Sequence, residues 1–308
     1  MSNNKITIGI PKGLLYYRYN TLWTTYLKKL NCNIIYSSDT TKNTIELGKK
    51  YLVDETCLPS KIYLGHVKEL VGKCDYILVP RISDYGRKEK VCVRFNATYD
   101  IIHNAFPNQK ILDYNIEYTH HHKESLSLIL LGLKINKNIF KVIFSYYQAK
   151  LEEKKYNKIR LLNQNKLLNN NSIKILIVSH PYNIYDKYIG YPIKNFLKSQ
   201  NVDLIYADVL DKKIAKAYSE KLSPTLYWTY SKELIGAIEY YKHSVDGIIF
   251  ITSFPCGPDS LVNELMLRKI TDIPKTNILI DESSAEAGIQ TRLESFIDII
   301  KGKKEKDD

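Results

Sequence analysis

No apolar run in the 308-residue chain approaches the roughly 18 residues that a membrane helix needs, so no such span is expected. There is no CxxC pair. That removes the usual dithiol redox motif, the zinc ribbon and the ferredoxin run. There is no GxxxxGK[ST] and no GxGxxG, so phosphate-cradling loops of those two kinds are absent and ATP hydrolysis by this chain is not expected. The start, MSNNKITIGI, is strand-like and lacks a secretory pattern. The expected compartment is the cytoplasm, where five cysteines point to metal binding or catalysis more than to disulfides.

The formal charge is +12, yet the basic residues are spread thinly, densest from Lys134 to Lys166 and in the tail KGKKEKDD. The 25 tyrosines are not interleaved with them as in an RNA-stacking platform, so nucleic acid is not the expected partner. A basic face for an acidic protein or a phosphorylated ligand stays open beside a merely solvated surface.

What the chain does have is alternation. Short Ile/Val/Leu runs at 6–10, 34–37, 76–79, 111–114, 173–178, 202–206, 247–252 and 277–280 are separated by stretches of helical period. That pattern predicts parallel sheets covered on both faces. The halves are alike in order. KITIGIPKGLLYYRYNTLWTTYLKKLNCNIIYSS and IKILIVSHPYNIYDKYIGYPIKNFLKSQNVDLIYAD both read strand, loop, helix, strand, while SKIYLGHVKELVGKCDYILVP and SKELIGAIEYYKHSVDGIIFITSFP both read helix, then strand. The expected fold is therefore α/β: two Rossmann-like lobes with helix-flanked parallel sheets and a cleft between them. The N-terminal lobe spans 1–125, a polar helical connector 126–171, and the C-terminal lobe 172–308, with NQNKLLNNNS as the clearest linker.

In such sheets ligands sit beyond the carboxyl ends of the strands. Cys32 and Cys74 precede strands, at the amino edge, and read as small buried hydrophobes. Cys57, Cys92 and Cys256 each stand just before a helix where loops reach the carboxyl edge, and Pro59, Pro255 and Pro258 stiffen the chain beside two of them. Helix amino ends favour thiolate, the metal-binding form. Three dispersed cysteines are as a rule unrelated; gathered by folding, they would suffice for three irons of a cubane with the fourth iron open.

Several stretches together resemble one family: IGIPKGLLYYRYNTLWTTYLKKL, ELGKKYLVDETCLPSKIYLGHV, DYILVPRI followed by Cys92, FPCGPDSLVNELMLRK, and LIDESSAEAGIQTRLESFIDII. They are similar to the CoA-enzyme-activase-associated domain, related to 2-hydroxyacyl-CoA dehydratase subunits and double-cubane cluster proteins. The resemblance implies an anaerobe's oxygen-sensitive iron–sulfur redox protein, with Cys57, Cys92 and Cys256 at cluster-ligand positions and the cubane between the lobes. Double-cubane relatives carry more cysteines than this chain, so a single [4Fe-4S] cluster is implied. The implied partners are a separate ATP-dependent activase with its own cluster, a ferredoxin or flavodoxin upstream, and an acyl-CoA substrate. Whether this chain is itself an enzyme, a reductase or dehydratase component, is left open by the resemblance.

The rival expectation is a non-redox two-lobed module that closes on a small anionic ligand such as a nucleotide or acyl-CoA. A third is a cysteine hydrolase, with Cys256 as nucleophile and His66 or His180 as base. Other candidates each have a structural alternative. Asp281 and Glu282 follow the last strand run, as ligand contacts or as helix-leading polar residues. TRLE, Thr291 to Glu294, reads as a capping box, with Arg292 free to reach a phosphate. Lys12 and Gly13 follow the first strand, where phosphates meet helix starts or a glycine eases a turn. Arg81 follows the third strand, as charge partner or surface residue. His120, His121 and His122, being consecutive, read as a solvated loop.

Overall fold

The computed structural model describes residues 5–284 and 286–307. The chain forms two compact units. The first runs to Lys158 and includes Tyr227–Thr229; the second comprises Ile159–Leu226 and the chain from Tyr230 onward.

The first unit holds β1 (Thr7–Ile10), α1 (Tyr16–Lys29), β2 (Asn33–Tyr36), α2 (Lys42–Lys49), α3 (Leu58–Leu70), β3 (Tyr76–Asp84), α4 (Val93–Ala105), β4 (Ile111–Glu117), α5 (Glu124–Ile135) and the first part of α6 (Ile139–Leu168). Its strands run parallel in the order β2-β1-β3-β4. Ile8, Ile10, Ile77 and Val79 are fully buried, which is why the central strands β1 and β3 read as apolar runs. On α1, Leu22, Trp23, Tyr26 and Leu27 recur at helical spacing and form its buried face.

The second unit holds β5 (Ile173–Val178), α7 (Pro181–Ile184), α8 (Gly190–Ser199), β6 (Val202–Tyr206), α9 (Lys212–Leu222), α10 (Thr229–Tyr241), β7 (Gly247–Ser253), α11 (Gly257–Lys269), β8 (Lys275–Ile280) and α12 (Glu286–Asp307). Its strands are again parallel, in the order β6-β5-β7-β8. Strand β7 is buried along its whole length. Each of the eight expected apolar runs is a strand, and the two sheets have one topology. The chain order reverses direction between β1 and β3 and again between β5 and β7, the two switch points where such sheets place ligands.

The repeat is visible residue by residue. Ser60 and Lys61 open α3 and Ser231 and Lys232 open α10, all four buried. Each pair is followed by a glycine that brings two helices into backbone contact. A Cβ on Gly65 would lie 1.9 Å from the Thr44 carbonyl oxygen, and one on Gly236 would lie 1.7 Å from that of Ala215.

Three local expectations are corrected. Strand β3 continues beyond Val79 to Asp84. Its register with β1 stops at Ile77 while β4 pairs on through Pro80, so the missing proline N–H falls where no β1 partner requires it. Residues 163–168 of the supposed linker close helix α6, because Gln164 is buried and bonded to the Tyr206 backbone and the Tyr241 hydroxyl. The TRLE capping box is also overturned. Thr291 lies inside α12 and donates to the Ala287 carbonyl 3.1 Å away, a bond within the helix and not at its start.

Candidate functional site

The three cysteines assigned to the carboxyl edge share one structural position. Cys57 is the N-cap of α3, Cys92 of α4 and Cys256 of α11, and none of the three side chains makes a capping hydrogen bond. All five cysteines are outside disulfides, and these three are partly exposed. A cap without a side-chain acceptor leaves the first-turn N–H groups of the helix beside the sulfur. In the first unit, Arg94 of α4 reaches the Thr56 hydroxyl at 3.5 Å, which draws the starts of α3 and α4 together. The Ser60 hydroxyl lies 3.2 Å from the Cys57 sulfur.

The repeat relates two of the thiols directly. Cys92 stands between β3 and α4, and Cys256 stands between the corresponding β7 and α11. Cys57 has no such counterpart; Trp228 precedes α10, the matching helix. Trp228 forms a parallel bridge with Lys90, two residues before Cys92. The Lys90 N–H donates to the Tyr227 carbonyl and the Thr229 N–H to the Lys90 carbonyl, both at 2.8 Å. The Lys90 ammonium in turn meets the buried Asp84 carboxylate at 3.1 Å. Burial pushes the Asp84 carboxyl up, but hydrogen bonds from the Thr119 hydroxyl and N–H and from Lys90 outweigh it and hold the group below the usual range. The segment leading to Cys92 is thus tied down on two sides.

Cys32 and Cys74 stand at the amino edge. Cys32 is buried, and desolvation raises its thiol to about 11. Burial also raises the Cys74 thiol, whose sulfur would be struck at 2.8 Å by a Cβ on Gly9. Both are packing residues. Among the described residues, no three His, Cys, Asp or Glu side chains stand together as a metal-holding group. Cys57 and Cys92 belong to the first unit and Cys256 to the second.

The remaining candidates have structural partners. Lys12 pairs with Asp39 at 2.9 Å, and the Tyr63 ring occupies the space a Gly13 side chain would need. Arg81 lies within β3, not after it, paired with Asp100 at 2.6 Å and set over the Tyr99 ring at 4.9 Å. His120 pairs with Glu117 at 2.9 Å, and all three consecutive histidines are exposed. Asp281 accepts from the Ser284 hydroxyl, the Ser283 N–H and the Ser283 hydroxyl, which together hold its carboxyl below the usual range. Glu282 is partly exposed in the same turn, and Arg292 is exposed on α12.

His66, buried on α3, has Nε2 at 2.9 Å from the Thr40 hydroxyl, while Nδ1 has no partner among the described residues. Burial lowers its pKa to about 4, so it is held neutral. As pH falls from the ordinary value of about 6.5, the unfolded chain takes up the proton first. Stability should therefore drop between pH 6.5 and pH 4, by roughly 3 kcal/mol from this group. Urea unfolding of wild type and His66→Gln checks this: the variant should lose most of that acid slope, and superimposable pH curves would refute the assignment.

The sequence reading missed a buried polar cluster at the switch point of the second sheet. His180 Nε2 bonds the Asp259 carboxylate at 2.8 Å, both residues being buried. The Ser253 hydroxyl donates to the Asn183 side-chain oxygen Oδ1 at 2.8 Å, and the buried Asn183 Nδ2 has no partner among the described residues. Asp259 sits in the first turn of α11, three residues after Cys256.

The family model described as CoA enzyme activase uncharacterised domain matches residues 7–210. The match includes Cys57 and Cys92 and ends before Cys256. No curated protein matches the chain. Among solved structures, the nickel complex of the SBP FpvC from P. aeruginosa shares 10% identity over 90% of this chain and 87% of that one, with a TM-score of 0.28. ZnuA shares 10% identity over 97% of this chain and 99% of that one, with a TM-score of 0.28. The manganese complex of FpvC from Pseudomonas aeruginosa shares 10% over 97% and 100%, with a TM-score of 0.30. These likenesses are too slight to carry a ligand across. No described helix is long and apolar enough to cross a membrane.

Proposed function

The chain belongs to the CoA enzyme activase uncharacterised domain family, and from that premise we propose that it is an iron–sulfur redox protein. In this reading Cys57, Cys92 and Cys256 hold one [4Fe-4S] cluster, and an ATP-dependent activase carrying its own cluster supplies the electrons. The observation that carries the proposal is the shared place of these cysteines. Each is a partly exposed helix N-cap whose sulfur does no capping, and two of them recur at the same point of the structural repeat.

The donor set suits iron: three thiols, no disulfide, and helix amino ends that stabilise thiolate charge. When bound, such a cluster supplies one-electron transfer. The chain's own part is to present and fix the sulfurs. The Ser60 hydroxyl can donate to the Cys57 thiolate, and Pro59 and Pro258 stiffen the first turns of α3 and α11. The Lys90–Asp84 pair and the Tyr227–Thr229 strap hold the approach to Cys92. A cluster held by these three cysteines would have one iron without a cysteine, where an acyl-CoA oxygen or water would bind, and the activase is the expected protein partner.

Metal analysis of protein expressed and reconstituted without oxygen tests the reading. About four irons and four sulfides per chain are expected. A colourless, iron-free protein after reconstitution would overturn it.

A further inference from the structure

Four cations gather on the second unit in a ladder alternating with tyrosine rings. Arg160 of α6 lies 5.1 Å over the Tyr185 ring, and the Lys194 ammonium approaches the same ring at 5.0 Å. Lys194 also lies 5.6 Å from the Tyr191 ring, and Lys187 lies 4.0 Å from it. Lys198 follows one helical turn after Lys194 on α8.

The carboxylates nearby are already engaged. Asp208 accepts from Arg160 at 2.9 Å and from the Tyr185 hydroxyl at 2.7 Å. Asp186 accepts from the Tyr188 and Ile189 N–H groups. Among the described residues, none forms an ion pair with Lys187, Lys194 or Lys198, and Tyr191 is 41% exposed. Burial, together with the charges of Lys198 and Lys187, pulls the Lys194 ammonium down to about 8 against the opposing pull of Asp208. Like charges held this close, without a counter-charge of their own, repel one another and favour an incoming anion.

We propose that Lys187, Lys194 and Lys198, backed by Tyr185 and Tyr191, form a binding site for the diphosphate group of a nucleotide or nucleotide-derived cofactor. Two ammonium groups against one ring offer a compact double charge, which a diphosphate matches better than a single carboxylate does. Ammonium groups make charge-assisted bonds to phosphate oxygens, and the half-buried Lys194 strengthens them. The Arg160–Asp208–Tyr185 triad fixes the platform and takes no part in contacting the anion. This site needs no cluster and stands apart from the redox reading.

Calorimetric titration of the full chain with inorganic pyrophosphate, and separately with ADP, tests it. Both should bind, and ADP more tightly only if the exposed Tyr191 ring also stacks the base. Lys194→Gln and Lys187→Gln should each weaken pyrophosphate binding by about 10-fold or more, the loss of one charge-assisted contact. Lys221→Gln, which removes another lysine lying over a tyrosine ring, should leave it unchanged. Absence of pyrophosphate binding, or equal loss in all three variants, would overturn the site. Iron content in the lysine variants should match wild type, and Cys256→Ser should still bind pyrophosphate, so the two readings can fail separately.

Discussion

Cys256→Ser is expected to cut the iron bound by the anaerobically reconstituted protein by at least about half, and Cys57→Ser and Cys92→Ser are expected to do the same. The reason is positional. Each cysteine is the N-cap residue of a helix whose first N–H groups stabilise a thiolate, and a serine at physiological pH offers a neutral hydroxyl in its place. The two amino-edge cysteines provide the control within the same chain. Burial raises the thiols of Cys32 and Cys74 and so disfavours the ligating form, and Cys32→Ser and Cys74→Ser should leave the iron per folded chain unchanged. If all five substitutions lower the iron alike, the loss reflects damage to the fold. If none does, the cluster assignment falls.

Gly65→Ala and Gly236→Ala are each expected to lower stability by upwards of ~3 kcal/mol, read as a fall in the urea midpoint at unchanged slope. In both, the new methyl would meet a backbone carbonyl oxygen, 1.9 Å away at Thr44 and 1.7 Å away at Ala215. A side chain can rotate aside, but a carbonyl inside a helix cannot move without breaking helical bonds, so the helices must part. Because α3 begins at the Cys57 cap, Gly65→Ala should also reduce iron binding, whereas a surface glycine such as Gly302, with nothing within 4 Å, should tolerate alanine. Two alanine variants within about 0.5 kcal/mol of wild type would contradict the close crossing.

These cases show where the sequence was legible. A parallel strand buried on both faces, as β7 is, reads as an unbroken apolar run, and shorter Ile/Val/Leu runs marked the others, so eight strands stood out and with them the doubled topology. Once the strands were placed, chain order alone separated Cys57, Cys92 and Cys256 from Cys32 and Cys74. The Ser–Lys–Gly spacing was visible too, though its cause, a helix crossing too close for a Cβ, appears only in the structure. Other features were hidden for physical reasons. His180 and Asp259 lie 79 residues apart, and no periodicity links them. The lysine–tyrosine ladder joins α6, the loop after α7, α8 and the turn after β6, and each piece alone reads as an ordinary solvated face. Tyr227–Thr229 pairs with a single residue, Lys90, too short a stretch to show a strand pattern. Pro80 hid the second half of β3, because a proline is tolerated where only one neighbour pairs.

The central claim is a cubane held by three thiolates of this chain, and Mössbauer spectroscopy of the reconstituted protein loaded with enriched iron tests it most directly. The account predicts two iron environments in a ratio of about 3:1, the smaller one shifting when a ligand binds the open iron. Four equivalent thiolate-bound irons, or iron that is not in a cluster at all, would contradict it.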